Sequence, residues 1–80
     1  MRNKWPLSLY EAKEKVSLKV ASLPQISLLE NMGLRPGTQL SVQIRYALGG
    51  PVLLRVEDAY DLALGKDIAR QIAVQETAAE

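Results

Sequence analysis

The sequence predicts a small, mainly β protein: an antiparallel β-barrel of about five short strands, with one short helix between the first two strands and a helical turn before the last. Three observations support this fold class. Several short segments alternate apolar and polar residues, as half-buried strands do, and turns rich in glycine, proline or acidic residues separate them. The chain has only 80 residues, of which 48% are hydrophobic. A sheet curled into a barrel hides edges that so small a domain cannot cover otherwise.

The chain is predicted to form one domain over residues 1–80, with tails at 1–7 and 76–80 that are expected to fray. In the first tail, Trp5 is expected to pack at the edge of the core or to cover one end of the barrel, and a partner contact is the alternative. Residues 8–11 have the spacing of a capping box and predict a single helical turn. Residues 15–20 alternate polar and apolar side chains, which predicts the first strand.

The short helix is predicted over residues 24–32. Pro24 suits the first helical position, and apolar residues recur at steps of three along one face, namely Ile26, Leu29 and Met32. Gly33 is expected to adopt the left-handed conformation that ends a helix, with Leu34 packing back onto it. Residues 35–38 contain a Pro-Gly pair and predict a type II turn.

The remaining strands are predicted as an antiparallel meander over residues 40–46, 52–56 and 60–64, with a last short strand over 72–74. Residues 65–71 precede that last strand and predict one helical turn. In the strand over 40–46, Tyr46 falls on the predicted inner face. The predicted core is Val16, Leu18, Val20, Ile26, Leu29, Leu40, Val42, Ile44, Val52, Leu54, Val56, Leu62, Leu64, Ile68, Ile72 and Val74.

Composition excludes several functions. The chain has no cysteine and no histidine, so it offers no disulfide, no nucleophilic thiol, no imidazole base and no zinc site of the Cys/His type. Its net charge of +1 and few aromatic residues do not form a nucleic-acid surface. No apolar run is long enough for a membrane span or a signal peptide. We therefore expect a soluble protein that is not an enzyme and needs no cofactor.

One acidic cluster could hold a metal. Glu57, Asp58 and Asp61 lie close together in sequence, and carboxylate oxygens suit a hard divalent cation bound weakly. The commoner alternative is a turn decorated with solvated carboxylates.

The loop at residues 47–51 is the strongest candidate for a contact site. A hairpin loop does not need an apolar residue such as Leu48 at its exposed tip, whereas a rigid loop that carries one suits docking onto a partner. We predict a contact surface formed by this loop and a neighbouring helix end. Its residues are Leu48, Gly49, Gly50, Pro51, Met32, Leu34 and Arg35.

Three motifs in register resemble the FeoA family. They are Leu-Glu-Asn-Met-Gly-Leu-Arg-Pro-Gly-Thr at residues 29–38, Ala-Leu-Gly-Gly-Pro-Val at 47–52 and Tyr-Asp-Leu-Ala-Leu at 60–64, in the order and spacing of that family. The resemblance extends over more than half the chain, from about Leu29 to Val74. It implies an SH3-like β-barrel and a small cytoplasmic bacterial protein that assists ferrous iron uptake by binding the cytosolic region of the FeoB transporter.

Two alternatives remain at this point. The resemblance also extends to the C-terminal domain of DtxR-type metal-dependent repressors, so the chain could be a stand-alone interaction domain of that kind. A weak carboxylate-based metal-binding module is the other alternative. We expect a monomer or a weak homo-oligomer in each case.

Overall fold

The computed structural model describes residues 6–77 and shows one antiparallel sheet of six strands in the order β1-β6-β2-β3-β4-β5. The strands are β1 (Leu7–Ser8), β2 (Leu18–Ser22), β3 (Gln39–Arg45), β4 (Val52–Val56), β5 (Tyr60–Leu64) and β6 (Ala73–Glu76). Within the described residues, the end strands β1 and β5 are not paired with each other, so the barrel is open. The predicted mainly β fold is confirmed, with one strand more than expected.

Two short helices lie where the sequence predicts them. Helix α1 (Ser27–Asn31) connects β2 to β3, and helix α2 (Lys66–Ala69) precedes β6. Helix α1 begins later than predicted, because Ile26 is extended and precedes the first helical residue, so Pro24 lies outside the helix. No helix in residues 6–77 is long and apolar enough to cross a bilayer.

The turns around α1 follow from their residue types. Gly33 has φ of +87° and ends α1, and the Leu34 amide donates to the Leu29 carbonyl at 3.0 Å. This geometry is the predicted left-handed cap. In the next turn Gly37 has φ of +96°, and the Thr38 amide donates to the Arg35 carbonyl at 3.0 Å. Both predictions are confirmed.

The core lies between the inner faces of the strands and α1. Most of the predicted core residues are buried, and Val16, Ile26, Leu62 and Ile68 are partly buried against them. Four further residues are buried that the sequence pattern did not select, namely Leu9, Ala12, Leu34 and Ala69.

Strand β3 contains a β-bulge that corrects two predictions. Val42 pairs with Leu54, but Ile44 pairs with the adjacent Leu53, so Gln43 is an extra residue on β3. The pairing places Ile44 on the same face as Leu53, outside the barrel, where it is 41% exposed, and Tyr46 is 47% exposed. Neither belongs to the core, because the strict alternation assumed across residues 40–46 breaks at Gln43.

The N-terminal segment belongs to the fold further out than predicted. Leu7 and Ser8 form β1 and pair with Val74 and Ala73, so the sheet includes the inner end of the predicted tail. A 3₁₀ turn over Leu9–Glu11 follows, in agreement with the helical turn predicted there. At the other end, Glu76 pairs with Leu18. The prediction for Trp5 lies outside the described residues.

Candidate functional site

The loop between β3 and β4 is closed by two backbone hydrogen bonds. The Tyr46 amide donates to the Pro51 carbonyl at 3.0 Å, and the Gly50 amide donates to the Ala47 carbonyl at 3.2 Å. At Gly50, a Cβ atom would lie 2.9 Å from the Cβ of Tyr46, so only glycine fits without movement of the loop. Steric exclusion of a Cβ atom therefore explains why Gly50, the second glycine of the motif, is a glycine.

Leu48 is the tip of this loop and is fully exposed, at 103% of its reference surface. Its backbone has φ of +62°, in the left-handed region that disfavours a residue with a Cβ by roughly 1–2 kcal/mol. Folding therefore holds a large apolar side chain in water on a strained backbone. Such local strain is concentrated at functional sites, where the surrounding structure maintains it.

Two more exposed apolar side chains adjoin the loop. Ile44 lies on the outer side of β3, and the exposed Tyr46 directly follows that strand. Leu53 on β4 pairs with Ile44 and with Ala63 on β5, which makes an apolar row across three strands. We call Ile44, Tyr46 and Leu48 the hairpin surface. The sequence missed its first two members, because a bulge leaves no local signal in an alternating strand.

Side chains from three other elements lie at the base of the loop. The hydroxyl of Tyr10, on the 3₁₀ turn, donates to the Gly50 carbonyl at 3.3 Å. Lys66 at the start of α2 and Arg45 at the end of β3 place their cationic groups 5.6 Å and 5.9 Å from the centroid of the Tyr10 ring, within the range of cation–π attraction. No local pattern predicts this cluster, because its members are distant in sequence.

Arg45 also connects β3 to the N-terminal segment. Its guanidinium donates to the Ala12 carbonyl, and its backbone amide donates to a carboxylate oxygen of Glu14 at 2.8 Å. The Lys15 amide donates to the Val42 carbonyl at 2.8 Å. The N-terminal segment is thus bonded along the strand that leads into the loop.

The predicted helix-end residues lie at the other end of β4. The loop precedes Val52, at the start of β4. Tyr60 follows the turn after Val56, at the end of β4, and its hydroxyl donates to the Met32 carbonyl at 2.5 Å. A strand of this length separates the two groups by roughly 13 Å. The helix next to the loop is α2, not α1. The structure therefore places the two groups of the predicted contact surface at opposite ends of β4.

One residue of the predicted contact surface is buried. Leu34 is only 1% exposed, because it packs onto α1 after the Gly33 cap. Met32 is half-buried and Arg35 is exposed. Of these three predicted contact residues, Leu34 is therefore the one that is not at the surface of this structure.

Two of the three acidic candidates, Glu57 and Asp61, have carboxylates that are bonded to other residues. Glu57 accepts a hydrogen bond from the Gln39 amide at 3.1 Å, and Asp61 forms an ion pair with Arg55 at 3.1 Å. Arg55 also donates to the Asp58 carbonyl at 3.4 Å. Residues 6–77 contain no group of three carboxylates arranged to hold a metal ion. The cluster stabilises the β4–β5 turn instead.

Comparison with known proteins identifies relatives of this chain. The model of the FeoA domain matches residues 7–76. A FeoA-like protein from Clostridium acetobutylicum is 26% identical, with a TM-score of 0.77, and the match covers 94% of this chain and 91% of that one. A structure described as an iron uptake regulatory protein, FeoA, is 25% identical, with a TM-score of 0.78 and coverage of 89% and 96%.

A repressor has the same fold within a longer chain. A manganese-dependent transcriptional repressor matches with a TM-score of 0.81 over 96% of this chain and 45% of its own, at 17% identity. That likeness shows the fold alone. None of the curated proteins matches the chain in sequence.

Proposed function

Because the chain belongs to the FeoA family, a family of iron uptake, we propose that it is a non-enzymatic accessory protein of ferrous iron uptake. It acts in the cytoplasm by binding the cytosolic region of a FeoB-type transporter. The contact is made by the hairpin surface, supported by the loop residues Gly49, Gly50 and Pro51.

The observation that carries this proposal is the state of Leu48. A fully exposed leucine with φ of +62° contributes a strained backbone and no burial to the free protein, and burial in a partner would supply the favourable transfer of its side chain from water. Ile44 and Tyr46 extend the apolar area beside it. Tyrosine is among the residue types that most often carry the binding energy of an interface, and the two aliphatic side chains add apolar area around it.

The proposal gives the protein no role in carrying the metal. Ferrous iron is bound in proteins by imidazole, by thiolate or by a set of histidines and carboxylates, and the chain has neither histidine nor cysteine. Its most clustered carboxylates are bonded to Gln39 and Arg55. Iron is the cargo of the proposed partner, and this chain acts on the partner by contact.

The test is binding of the protein to the full-length FeoB-type transporter of the same organism in nanodiscs, with and without nucleotide. Leu48→Asn removes the apolar side chain and tolerates the left-handed backbone. We expect affinity at least tenfold weaker, with a free energy of unfolding no lower than that of the parent, because asparagine adopts the left-handed backbone at less cost than leucine.

Leu28→Asn is the matched control. Leu28 is 50% exposed on α1, away from the loop, so the same change there should leave affinity unchanged. Equal affinity for the parent and Leu48→Asn would remove the hairpin surface from the proposal. No binding of the parent protein, in either nucleotide state, would contradict the proposed partner.

A second candidate function rests on the likeness to the repressor. As a stand-alone domain of that fold, the chain would bind a metal-dependent transcription factor instead of a transporter. Binding of such a factor, sensitive to Leu48→Asn and without any transporter binding, would favour this candidate.

A further inference from the structure

The residues of the β3–β4 loop do not by themselves hold Leu48 in one conformation. Leu48 has an unfavourable backbone conformation, and Gly49 and Gly50 beside it lack the Cβ atoms that restrict φ and ψ. Two backbone hydrogen bonds close the loop at its base. A contact from outside the hairpin is needed to favour one orientation of its tip.

Tyr10 supplies that contact. Its hydroxyl donates to the Gly50 carbonyl at 3.3 Å, and this bond joins residues 40 positions apart. The backbone of Tyr10 is held in turn, because the amide of the preceding Leu9 donates to the Ile72 carbonyl at 2.7 Å and Leu9 is fully buried. The 3₁₀ turn that carries Tyr10 is therefore anchored to the core next to the loop.

Lys66 lies close to both the Tyr10 ring and the tip of the loop. Its ammonium lies 5.6 Å from the Tyr10 centroid, and its Cδ and Nζ atoms lie 3.9 Å from the position a Cβ of Gly49 would take. Lys66 thus lies between Tyr10 and the residue that follows Leu48. Arg45 is the last residue of β3 before the loop, and its guanidinium lies 5.9 Å from the centroid of the same ring.

We propose that Tyr10 is a positioning residue, which holds the β3–β4 loop in the conformation that presents Leu48 to the partner. The inference rests on the proposed function for what Leu48 contacts, but the positioning itself is a property of the free protein. A loop ordered before binding does not lose conformational freedom when the partner binds, so ordering increases affinity.

The experiment measures loop order and affinity separately. ¹⁵N relaxation gives order parameters for the amides of Leu48 and Gly49 in the free protein, and titration with the full-length transporter in nanodiscs gives affinity. In Tyr10→Leu, which removes both the hydroxyl and the ring, we expect the order parameters to fall from about 0.85 to below 0.6. In Tyr10→Phe, which removes one hydrogen bond and keeps the packing, we expect a smaller fall and about fivefold weaker binding.

Tyr60→Phe is the matched control. It removes a tyrosine hydroxyl that also donates to a backbone carbonyl, that of Met32, at the opposite end of β4. Loop order and affinity should stay at the parent values. Tyr10→Phe keeps the proposal testable if Tyr10→Leu does not fold.

The outcomes separate the two proposals. Unchanged order parameters at Leu48 and Gly49 in the Tyr10 variants would overturn the positioning role, whatever the affinity. A loosened loop with weaker binding supports both proposals. A loosened loop with unchanged affinity supports the role of Tyr10 and shows instead that Leu48 is not the contact.

Discussion

Gly33 and Tyr60 belong to different sequence motifs, yet they are in contact. Tyr60 donates its hydroxyl to the Met32 carbonyl at the end of α1, and a Cβ on Gly33 would lie 2.7 Å from that hydroxyl oxygen. Gly33 therefore meets two requirements, a positive φ and a close approach, whereas Gly37 meets only the first. At the scale of single residues, the motif glycine and tyrosine serve the fold.

We expect Gly33→Ala to destabilise the protein more than Gly37→Ala. Gly37 has φ of +96° and no atom within 4 Å of a Cβ position, so its substitution should lower the free energy of unfolding by about 1 kcal/mol. Gly33→Ala adds the overlap with Tyr60, about 1 kcal/mol or more. Urea denaturation measures both differences.

A double-mutant cycle isolates the overlap. In a Tyr60→Phe background the blocking oxygen is absent, so Gly33→Ala should then lower the free energy of unfolding by about as much as Gly37→Ala does. The same loss in both backgrounds would contradict the contact between Gly33 and Tyr60.

Strand β3 shows how one extra residue changes the use of an element. Before Gln43 the strand alternates as its sequence suggests, with Leu40 and Val42 buried. After the bulge, Ile44 pairs with Leu53 and faces outward. A strand that would be a uniform core element is therefore half core and half exposed surface, and its exposed half leads into the proposed contact loop.

The bulge predicts unequal effects of one substitution made at two positions of β3. Ile44→Thr keeps a β-branched residue on an exposed site and should lower the free energy of unfolding by less than about 1 kcal/mol. Val42→Thr places a hydroxyl at a fully buried site and should lower it by about 2 kcal/mol or more. Thermal and urea unfolding compare the two variants, and a loss at Ile44 as large as at Val42 would place both in the core.

At the scale of the whole molecule, the N-terminal segment completes the fold. Strand β1 pairs with β6, so the start of the described chain is bonded to its end. Leu9 and Ala12 are fully buried. Arg45 donates a hydrogen bond to the Ala12 carbonyl, and the Val42 carbonyl accepts one from the Lys15 amide. The same segment places Tyr10 beside the loop. The pairing of β1 with β6 and the presentation of Leu48 are therefore physically connected.

We expect Leu9→Ala to lower the free energy of unfolding by about 3 kcal/mol, because it leaves a cavity at a fully buried position. Leu28→Ala, at a half-exposed position on α1, is the control and should lower it by less than about 1 kcal/mol. Chemical denaturation distinguishes them. Similar small losses would mean that the N-terminal segment is not part of the core.

The meander of β3, β4 and β5, the Gly33 cap and the turn at Gly37 were predictable because each depends on residues that are neighbours in sequence. Alternation and turn chemistry act over a few positions, and β4 and β5 have the predicted bounds. The exposed Leu48 was also predictable, since an apolar residue at a loop tip is anomalous in the sequence itself. Its partner remains a proposal.

The fold class, the turns and the absence of imidazole and thiol chemistry can be read from the residues alone, since all three follow from local pattern or composition. Which side chains meet depends on the folded chain. It separated Met32 and Arg35 from the loop, buried Leu34, turned Ile44 and Tyr46 outward and brought Tyr10, Arg45 and Lys66 together. Those relations depend on strand register and on contacts between distant segments, which leave no trace in local periodicity.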